Sequence, residues 1–500
     1  MQKKNIILIM TDQHRSDYVS YNGNKLVETP NIDRIAESIG FTCCQTVNPV
    51  CTTARTALIT GKYSHQIGML SMSGDLSLQH PTFMQALQKN GYYSIGIGKF
   101  HFLQTWRWNT PRGMGIDLVS IKDKIKNFGF DHIWEASGKQ LALRNHCDYC
   151  EYLNKKGLLE KYRDLVEAAG DNTEYPDNNQ DSADPWPFDE EDYVDVITAE
   201  KIIEQIKCRP KNQPFYLFGS FCSPHRPYDP PERYLDMVEY EEIDDFIPGN
   251  GVELSKEDKA LLYRQRHAAK AMIKLVDEQI GRILDVLSNE GILDETVILF
   301  TSDHGDMLGD HYRIQKSVPW KQSVNVPLAV RHPDFTGRRI NSSPVELIDI
   351  AATILDIAGI DQEKALSKDW PAFNDIVPCR SLMPIIRGEQ DKVRDYAFSE
   401  CEFDEDTASK CKRKGNWQMI QSEKWKYIRY LGYDKPGKAI EEFYDLQKDH
   451  EESINAINDP AYTEAVKWCK DRREFIMDQT PAAQTIWAPL IERIIITAPS

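Results

Sequence analysis

Short apolar runs alternate with amphipathic stretches along most of this chain. Residues 6–10, 93–97, 215–218 and 296–301 are compact, largely apolar segments, the pattern of strands buried on both faces of a sheet. Between and after them, apolar positions recur at helical spacing near residues 31–39, 82–90 and 199–206. The clearest stripe carries Met272, Val276, Ile280, Ile283, Leu284 and Leu287 and leads straight into the strand at 296–301. Strands that alternate with helices predict an α/β fold built on a large, mostly parallel sheet. After about Gly388 the texture changes. Short strands are expected at 396–399, 417–421 and 425–430, then a helix around 461–477. The pattern divides the chain into a large α/β domain over 1–388 and a smaller C-terminal α+β subdomain over 389–500, with a small antiparallel sheet and a terminal helix.

Composition narrows the function classes. Five hundred residues at 41% hydrophobic suffice for a large domain and a smaller one, each with its own core. A net charge of −17, from 60 basic and 77 acidic residues, argues against a nucleic-acid or anionic-membrane surface. An anionic substrate would need a local cluster of positive charge. No segment approaches the roughly 20 apolar residues of a membrane span. The first apolar run, 6–10, is too short for a signal-peptide core and reads as a buried strand. Eleven cysteines without a regular framework suit a reducing compartment, so a cytoplasmic location is expected.

The most informative segment is Cys51-Thr52-Thr53-Ala54-Arg55-Thr56-Ala57-Leu58-Ile59-Thr60-Gly61-Lys62. Pro49 enforces an extended entry. Thr52 or Thr53 is expected to cap a helix that Gly61 ends. Cys51 then stands at the positive end of that helix, and Arg55 lies one turn away on the same face. The segment resembles the signature of the sulfatase family, in which Cys-x-Pro-x-Arg precedes Thr-Gly-Lys/Arg. Thr53 stands where the family has Pro, or Ala in some bacterial members.

Further segments follow the same family order. Thr29-Pro30-Asn31-Ile32-Asp33-Arg34-Ile35-Ala36 resembles the stretch that precedes the signature, and Gly98-Lys99-Phe100-His101-Phe102 is similar to Gly-Lys-Trp-His-Leu. Pro224-His225-Arg226-Pro227 matches Pro-His-x-Pro. Ser302-Asp303-His304-Gly305-Asp306, with Lys316 and Val326-Pro327-Leu328, matches the second metal segment and its lysine. Glu442-Phe443-Tyr444-Asp445-Leu446 resembles Glu-Leu-Tyr-Asp-Leu. The chain thus resembles the formylglycine-dependent sulfatase family of the alkaline phosphatase superfamily, which implies an alkaline phosphatase-like sheet.

The resemblance implies a site and a mechanism. Asp12 and Gln13 follow one strand, Asp303 and His304 another, and ligands in open parallel sheets gather beyond the carboxyl ends of strands. With position 51, these form the expected metal set. Calcium is the first choice, because oxygen donors dominate; magnesium stays open on the same ground, and the imidazole tilts the site toward manganese or zinc. Arg55, Lys99, His101, His225 and Lys316 are expected around the sulfate oxygens and as proton carriers, with Cys51 itself converted to formylglycine by a maturation enzyme. One hydroxyl of the hydrated aldehyde attacks sulfur and the alcohol departs with a proton. Deprotonation of the second hydroxyl then restores the aldehyde and expels sulfate. A plain cysteine has no second hydroxyl for that release. The expected substrate is a sulfated carbohydrate or a small sulfate ester. Two alternatives stay open: a phosphonate monoester or phosphodiester hydrolase of the same superfamily, and a silent binder with unmodified Cys51. Oligomeric state is left open.

Weaker signals lie elsewhere in the chain. Cys147-Asp148-Tyr149-Cys150 beside His146 is half a zinc pattern and reads as reduced cysteines. Trp106-Arg107-Trp108 is a candidate sugar subsite. Arg226 and His65 fall near the pocket mouth without an assigned role. The run Asp189-Glu190-Glu191-Asp192, at the end of a polar stretch that begins at Asp171, reads as a solvated loop.

Overall fold

The computed structural model describes residues 3–70, 72, 74–103, 110–169, 183–240, 244–249, 254–367, 376–402, 416–431 and 440–483. Nine strands form the main sheet: β1 Asn5–Asp12, β2 Ile39–Gln45, β3 Tyr93–Gly98, β4 His132–Glu135, β5 Phe215–Pro224, β6 Thr296–Ser302, β7 Asn325–Arg331, β8 Arg339–Asn341 and β9 Val345–Glu346. Their order is β4-β3-β5-β1-β6-β7-β2-β8, with β9 also on β2. From β4 through β6 all neighbours are parallel, whereas β7 runs antiparallel to both β6 and β2. This is the mixed, mostly parallel sheet that the alternating pattern implies. All residues of β5 and β6 are buried, because helices cover both faces.

Helices are placed by their apolar stripes and their caps. Thr82 accepts from the Gln85 amide in a capping box that opens the helix Phe83–Lys89. The stripe at 272–287 belongs to a helix of 34 residues, Lys256–Asn289, whose start is set by Ser255 accepting from the Asp258 amide. The helix expected at 31–39 is shorter than its spacing implied. Pro30 opens it, it ends at Ile35, and Ile39 already belongs to β2. Gly40 fixes that switch, since a Cβ there would lie 2.6 Å from the Tyr21 ring, which the strand must pass.

A second sheet follows in the C-terminal part: β10 Ala397–Cys401, β11 Asn416–Gln421, β12 Trp425–Leu431 and β13 Ile440–Asp445, an antiparallel meander in that order. The helix Thr463–Gln479 packs on β11 and β12. Two contacts tie this sheet to the loop after β6. Trp417 donates through its indole nitrogen to the Ser317 carbonyl at 3.1 Å, and buried Lys426 donates to the Pro319 carbonyl at 3.0 Å. No described helix is long and apolar enough to cross a membrane.

Candidate functional site

The central strands β1 and β6 end side by side, with Thr11 paired to Ser302, so the residues after them share one place beyond the sheet. Asp12, Asp303 and His304 meet there, and Cys51 comes to them from the helix Cys51–Thr60. One potential ligand atom from each of these four buried residues lies within 4.8 Å of the others. The His304 Nε2 is 3.4 Å from Cys51 Sγ, 3.7 Å from Asp12 Oδ1 and 3.6 Å from Asp303 Oδ1. Its Nδ1 faces the Gly305 carbonyl at 3.0 Å, which sets the tautomer that leaves Nε2 for the cluster.

The helix that carries Cys51 is buried along all ten residues. It begins two or three residues earlier than a cap at Thr52 or Thr53 requires, with Val50 as the extended flanking residue and no side-chain cap. Thr53 does not accept an amide hydrogen, as a cap would. Its hydroxyl instead lies 2.7 Å from both Asn48 Oδ1 and the Val50 carbonyl and donates back into the entry segment. Gly61 ends the helix at φ 66, where a Cβ would lie 2.7 Å from Cys379 Sγ.

Cations converge on the cluster from three elements. Arg55 donates through Nε to Asp303 Oδ2 at 2.8 Å and through Nη1 to the Lys99 carbonyl and Ser220 Oγ at 2.6 and 2.7 Å. Its Nη2 is buried without a hydrogen-bond partner, 4.0 Å from Asp12 Oδ2. Lys99 follows β3 and places Nζ 2.5 Å from Asp12 Oδ2. Gly98 makes that approach possible: its φ is 98, and a Cβ would stand 1.9 Å from the Ser220 carbonyl. Lys316 donates to Gln13 Oε1 at 2.6 Å and to His225 Nε2 at 2.9 Å. The other nitrogen of His225, Nδ1, faces the Arg226 carbonyl at 2.8 Å. His101 lies buried against Cys51, held at φ 56, and apart from that thiol its ring nitrogens have no hydrogen-bond partner.

The charges follow from this geometry. Burial alone would raise the Asp12 carboxyl, but Lys99, His225, Arg55 and His304 together hold it well below the usual carboxylate range. Burial likewise works against a Cys51 thiolate, yet Lys316 and Lys99 pull the group well down. Burial and then Lys316 push His225 well below an ordinary histidine, so its imidazole is neutral near pH 7. For His304, burial works against the charged form, but Asp303 and Cys51 together raise the imidazole.

A divalent cation fits this donor set. Asp12 Oδ1 is buried with no hydrogen-bond partner and points into a cluster of carboxylate, imidazole and position 51. Gln13 reaches the same place at φ 69, with its backbone amide 3.1 Å from Asp303 Oδ1.

Other sequence signals fall elsewhere. His65 bonds through its two ring nitrogens to Glu400 and Thr480, joining the region after the Cys51 helix to the C-terminal part. Arg226 is buried. Cys147 and Cys150 are free thiols with sulfurs 3.4 Å apart, and His146 faces Glu151 at 3.7 Å, so no zinc set forms among the described residues. The acidic run ends in a buried residue rather than a solvated one. Asp192 accepts from Tyr152 and Lys156, which neutralise it. Trp106, Arg107 and Trp108 lie outside the described residues, as does most of the polar stretch after Asp171. Ser220, which holds Arg55, had no assigned role in the sequence. A serine between apolar residues of β5, one of two in that strand, was the available signal.

Comparison with known proteins identifies the family. The family model described as sulfatase matches residues 4–360, and one described as N-sulphoglucosamine sulphohydrolase, C-terminal, matches 309–479. An arylsulfatase of Clostridium perfringens is 30% identical over 491 residues, covering 94% of this chain and 93% of its own. An N-acetylglucosamine-6-O-sulfatase of Bacteroides thetaiotaomicron is 26% identical, with 72% and 68% covered. Among solved structures, a phosphonate monoester hydrolase of Agrobacterium radiobacter superposes with a TM-score of 0.76 at 22% identity, covering 98% of each chain. A protein in complex with its substrate D-glucosamine-2-N,6-O-disulfate gives 0.71 at 21%, covering 96% of this chain and 98% of its own.

Proposed function

The chain belongs to the sulfatase family and is a sulfuric ester hydrolase; from that premise we propose that Cys51, matured to formylglycine, is its nucleophile and that Asp12, Gln13, Asp303 and His304 hold one divalent cation beside it. The observation that carries this reading is the buried cluster of Asp12, Cys51, Asp303 and His304, with the unpartnered Asp12 Oδ1 among them. Calcium is the first choice of metal, with manganese, magnesium and zinc as competitors. When bound, the cation supplies positive charge next to the nucleophile and the sulfate oxygens.

In this reading the Cys51 sulfur marks where the oxygens of the hydrated aldehyde stand. Arg55 uses its unpartnered Nη2, and Lys99 and Lys316 use their ammonium groups, to hold the non-bridging oxygens of the ester. The attacking hydroxyl gives its proton to a carboxylate of the cluster as the new S–O bond forms and the S–O bond to the alcohol breaks, and the departing oxygen takes a proton from the Lys316–His225 pair. His101, buried against position 51 with no other partner on its ring nitrogens, then accepts the proton of the second hydroxyl. The C–O bond to sulfate breaks, and the aldehyde is restored. A sulfated carbohydrate or a small aryl or alkyl sulfate fits this chemistry, as does the need for a maturation enzyme acting on Cys51. We assign this chemistry to residues 1–388. The described part of residues 389–500 buttresses the loop that carries Lys316, a role supported by the Trp417 contact with Ser317.

The test is the mass and reactivity of the peptide that contains Cys51, taken from protein made in its native host. An aldehyde that reacts with hydrazide is expected. A thiol that alkylates instead would overturn the mechanism and leave a binder of sulfated ligands.

A further inference from the structure

Asp306 lies two residues past His304, outside the cluster, and has no part in the chemistry above. Its Oδ2 accepts from Gln13 Nε2 at 2.5 Å and from the Tyr228 hydroxyl at 2.8 Å, and its Oδ1 accepts from the Leu308 amide at 3.2 Å. Asp306, Gln13 and Tyr228 are all buried. At the far end of the same Gln13 amide, Oε1 accepts from Lys316 at 2.6 Å. A carboxylate only accepts and an ammonium only donates, so the amide has one permitted orientation, with its NH2 on Asp306 and its oxygen on Lys316.

The backbone is shaped around this relay. Gln13 is held at φ 69, in the left-handed region that a residue with a Cβ avoids. The loop that carries both Asp306 and Lys316 has further positive φ values at Leu308, His311, Tyr312, Gln315 and Ser317. Buried Arg266 pins it through the Leu308 carbonyl at 2.8 Å and Asp310 Oδ1 at 2.9 Å, and Arg15 pins it through Asp310 Oδ2 at 2.9 Å. These contacts hold the middle of the loop, at Leu308 and Asp310, through groups other than the Asp306 carboxylate. Asp306 and Lys316 together determine which end of the Gln13 amide faces Lys316, and Asp306 is the one of the two that takes no part in the chemistry above.

We infer that Asp306 is a positioning residue that acts through the Gln13 amide, presenting its oxygen to the metal site and setting where the Lys316 ammonium stands beside Cys51. The inference rests on the proposed hydrolase reading for its kinetic readout; its metal-binding readout requires only a metal site that includes Gln13.

The test is a swap of polarity. Asp306→Asn keeps an acceptor for the Leu308 amide but turns an NH2 toward Gln13, so the Gln13 amide must rotate and face Lys316 with its donor end. Metal affinity, measured by titrating manganese into metal-free protein in a calorimeter, is expected to fall about 10–100-fold, as for other partners of metal ligands. The kcat for nitrophenyl sulfate is expected to fall about 100-fold, with the thermal midpoint little changed, because misplacement of about 1 Å costs that much. Gln13→Glu alone sets two carboxylates against each other and is expected to fare worse. When Asp306→Asn and Gln13→Glu are combined, the amide introduced at position 306 can donate to one oxygen of the carboxylate introduced at position 13, while the other oxygen accepts from Lys316. That double variant is expected to bind manganese and turn over at least about tenfold better than the product of the two single losses. A role that is merely structural predicts no such rescue. Asp306→Asn with wild-type manganese affinity and kcat, or a double variant whose losses simply add, overturns the inference while the active parent keeps the functional reading intact. A parent protein that binds manganese but hydrolyses no ester overturns the functional reading, and the calorimetric cycle still decides the role of Asp306.

Discussion

Lys99 Nζ stands 2.5 Å from Asp12 Oδ2, and both groups are buried. This contact keeps Asp12 ionised at a place where burial alone would favour the neutral acid. Replacing Lys99 with Met removes the largest cause that lowers the Asp12 carboxyl, so the acid limb of the pH–rate profile should move to higher pH. It also removes a cation from the sulfate oxygens, for which a loss of about 100- to 1,000-fold in kcat is expected. Rate profiles for nitrophenyl sulfate check both. An unmoved acid limb in an otherwise impaired variant would show that Lys99 serves the substrate alone.

Acid sensitivity should trace in part to His14, which is buried, faces the Tyr18 carbonyl at 3.1 Å, and is lowered by burial to about 4. An unfolded histidine takes up its proton near pH 6.5, whereas the folded one resists until about 4, so the stability it contributes is full above 6.5 and is lost as pH falls toward 4. The size of that loss is about 3 kcal/mol. His14→Gln should be less stable at pH 7 and should show a flatter decline between pH 6.5 and 4.5. Urea midpoints for both proteins at several pH values measure the difference. Parallel curves would assign the acid loss to other groups.

The sheet and the site were legible in the chain to different degrees. Apolar runs located β1, β3, β5 and β6 because strands buried on both faces leave an unbroken signal, and the residues just past them fall together by topology. β2 was not separable from the helix before it, since Ile39 continues the helical spacing and only the fit of Gly40 under Tyr21 decides the boundary. Antiparallel β7 was visible only as a motif. Cys51, Arg55, Lys99 and Lys316 could be named from type and order. Asp306, Ser220 and Tyr228 could not be given roles, because what they do depends on which atom they face. The same limit applies to Thr53: its position promised a cap, whereas its hydroxyl satisfies Asn48 and the Val50 carbonyl.

That geometry makes a prediction about the one position where the signature departs from its family. Thr53→Ala removes the donor that serves buried Asn48 Oδ1 and should cost about 1–3 kcal/mol in stability. Alanine is a residue that some family members carry there, so the fraction of Cys51 converted to aldehyde should not fall. A melt and a peptide mass on the same preparation separate the two effects. A drop in conversion without a change in midpoint would mean that Thr53 is read by the maturation machinery rather than used by the fold.

Metal removal gives the last expectation, and its sign follows from the charges already in place. Asp12 and Asp303 are balanced by Lys99 and Arg55 at 2.5 and 2.8 Å, and His304 is held by the Gly305 carbonyl, so the cluster should remain folded without a cation. Chelation should therefore abolish hydrolysis while the protein keeps its fold, and saturating metal at about 100 times its dissociation constant should add about 2.7 kcal/mol. Reloading one metal at a time, with turnover of nitrophenyl sulfate and of a phosphonate monoester followed in parallel, then ranks both cations and esters. Sulfate ester turnover that survives exhaustive chelation would remove the cation from the mechanism. Faster turnover of the phosphonate at every metal would instead assign the cluster of Asp12, Gln13, Asp303 and His304 to phosphonate chemistry.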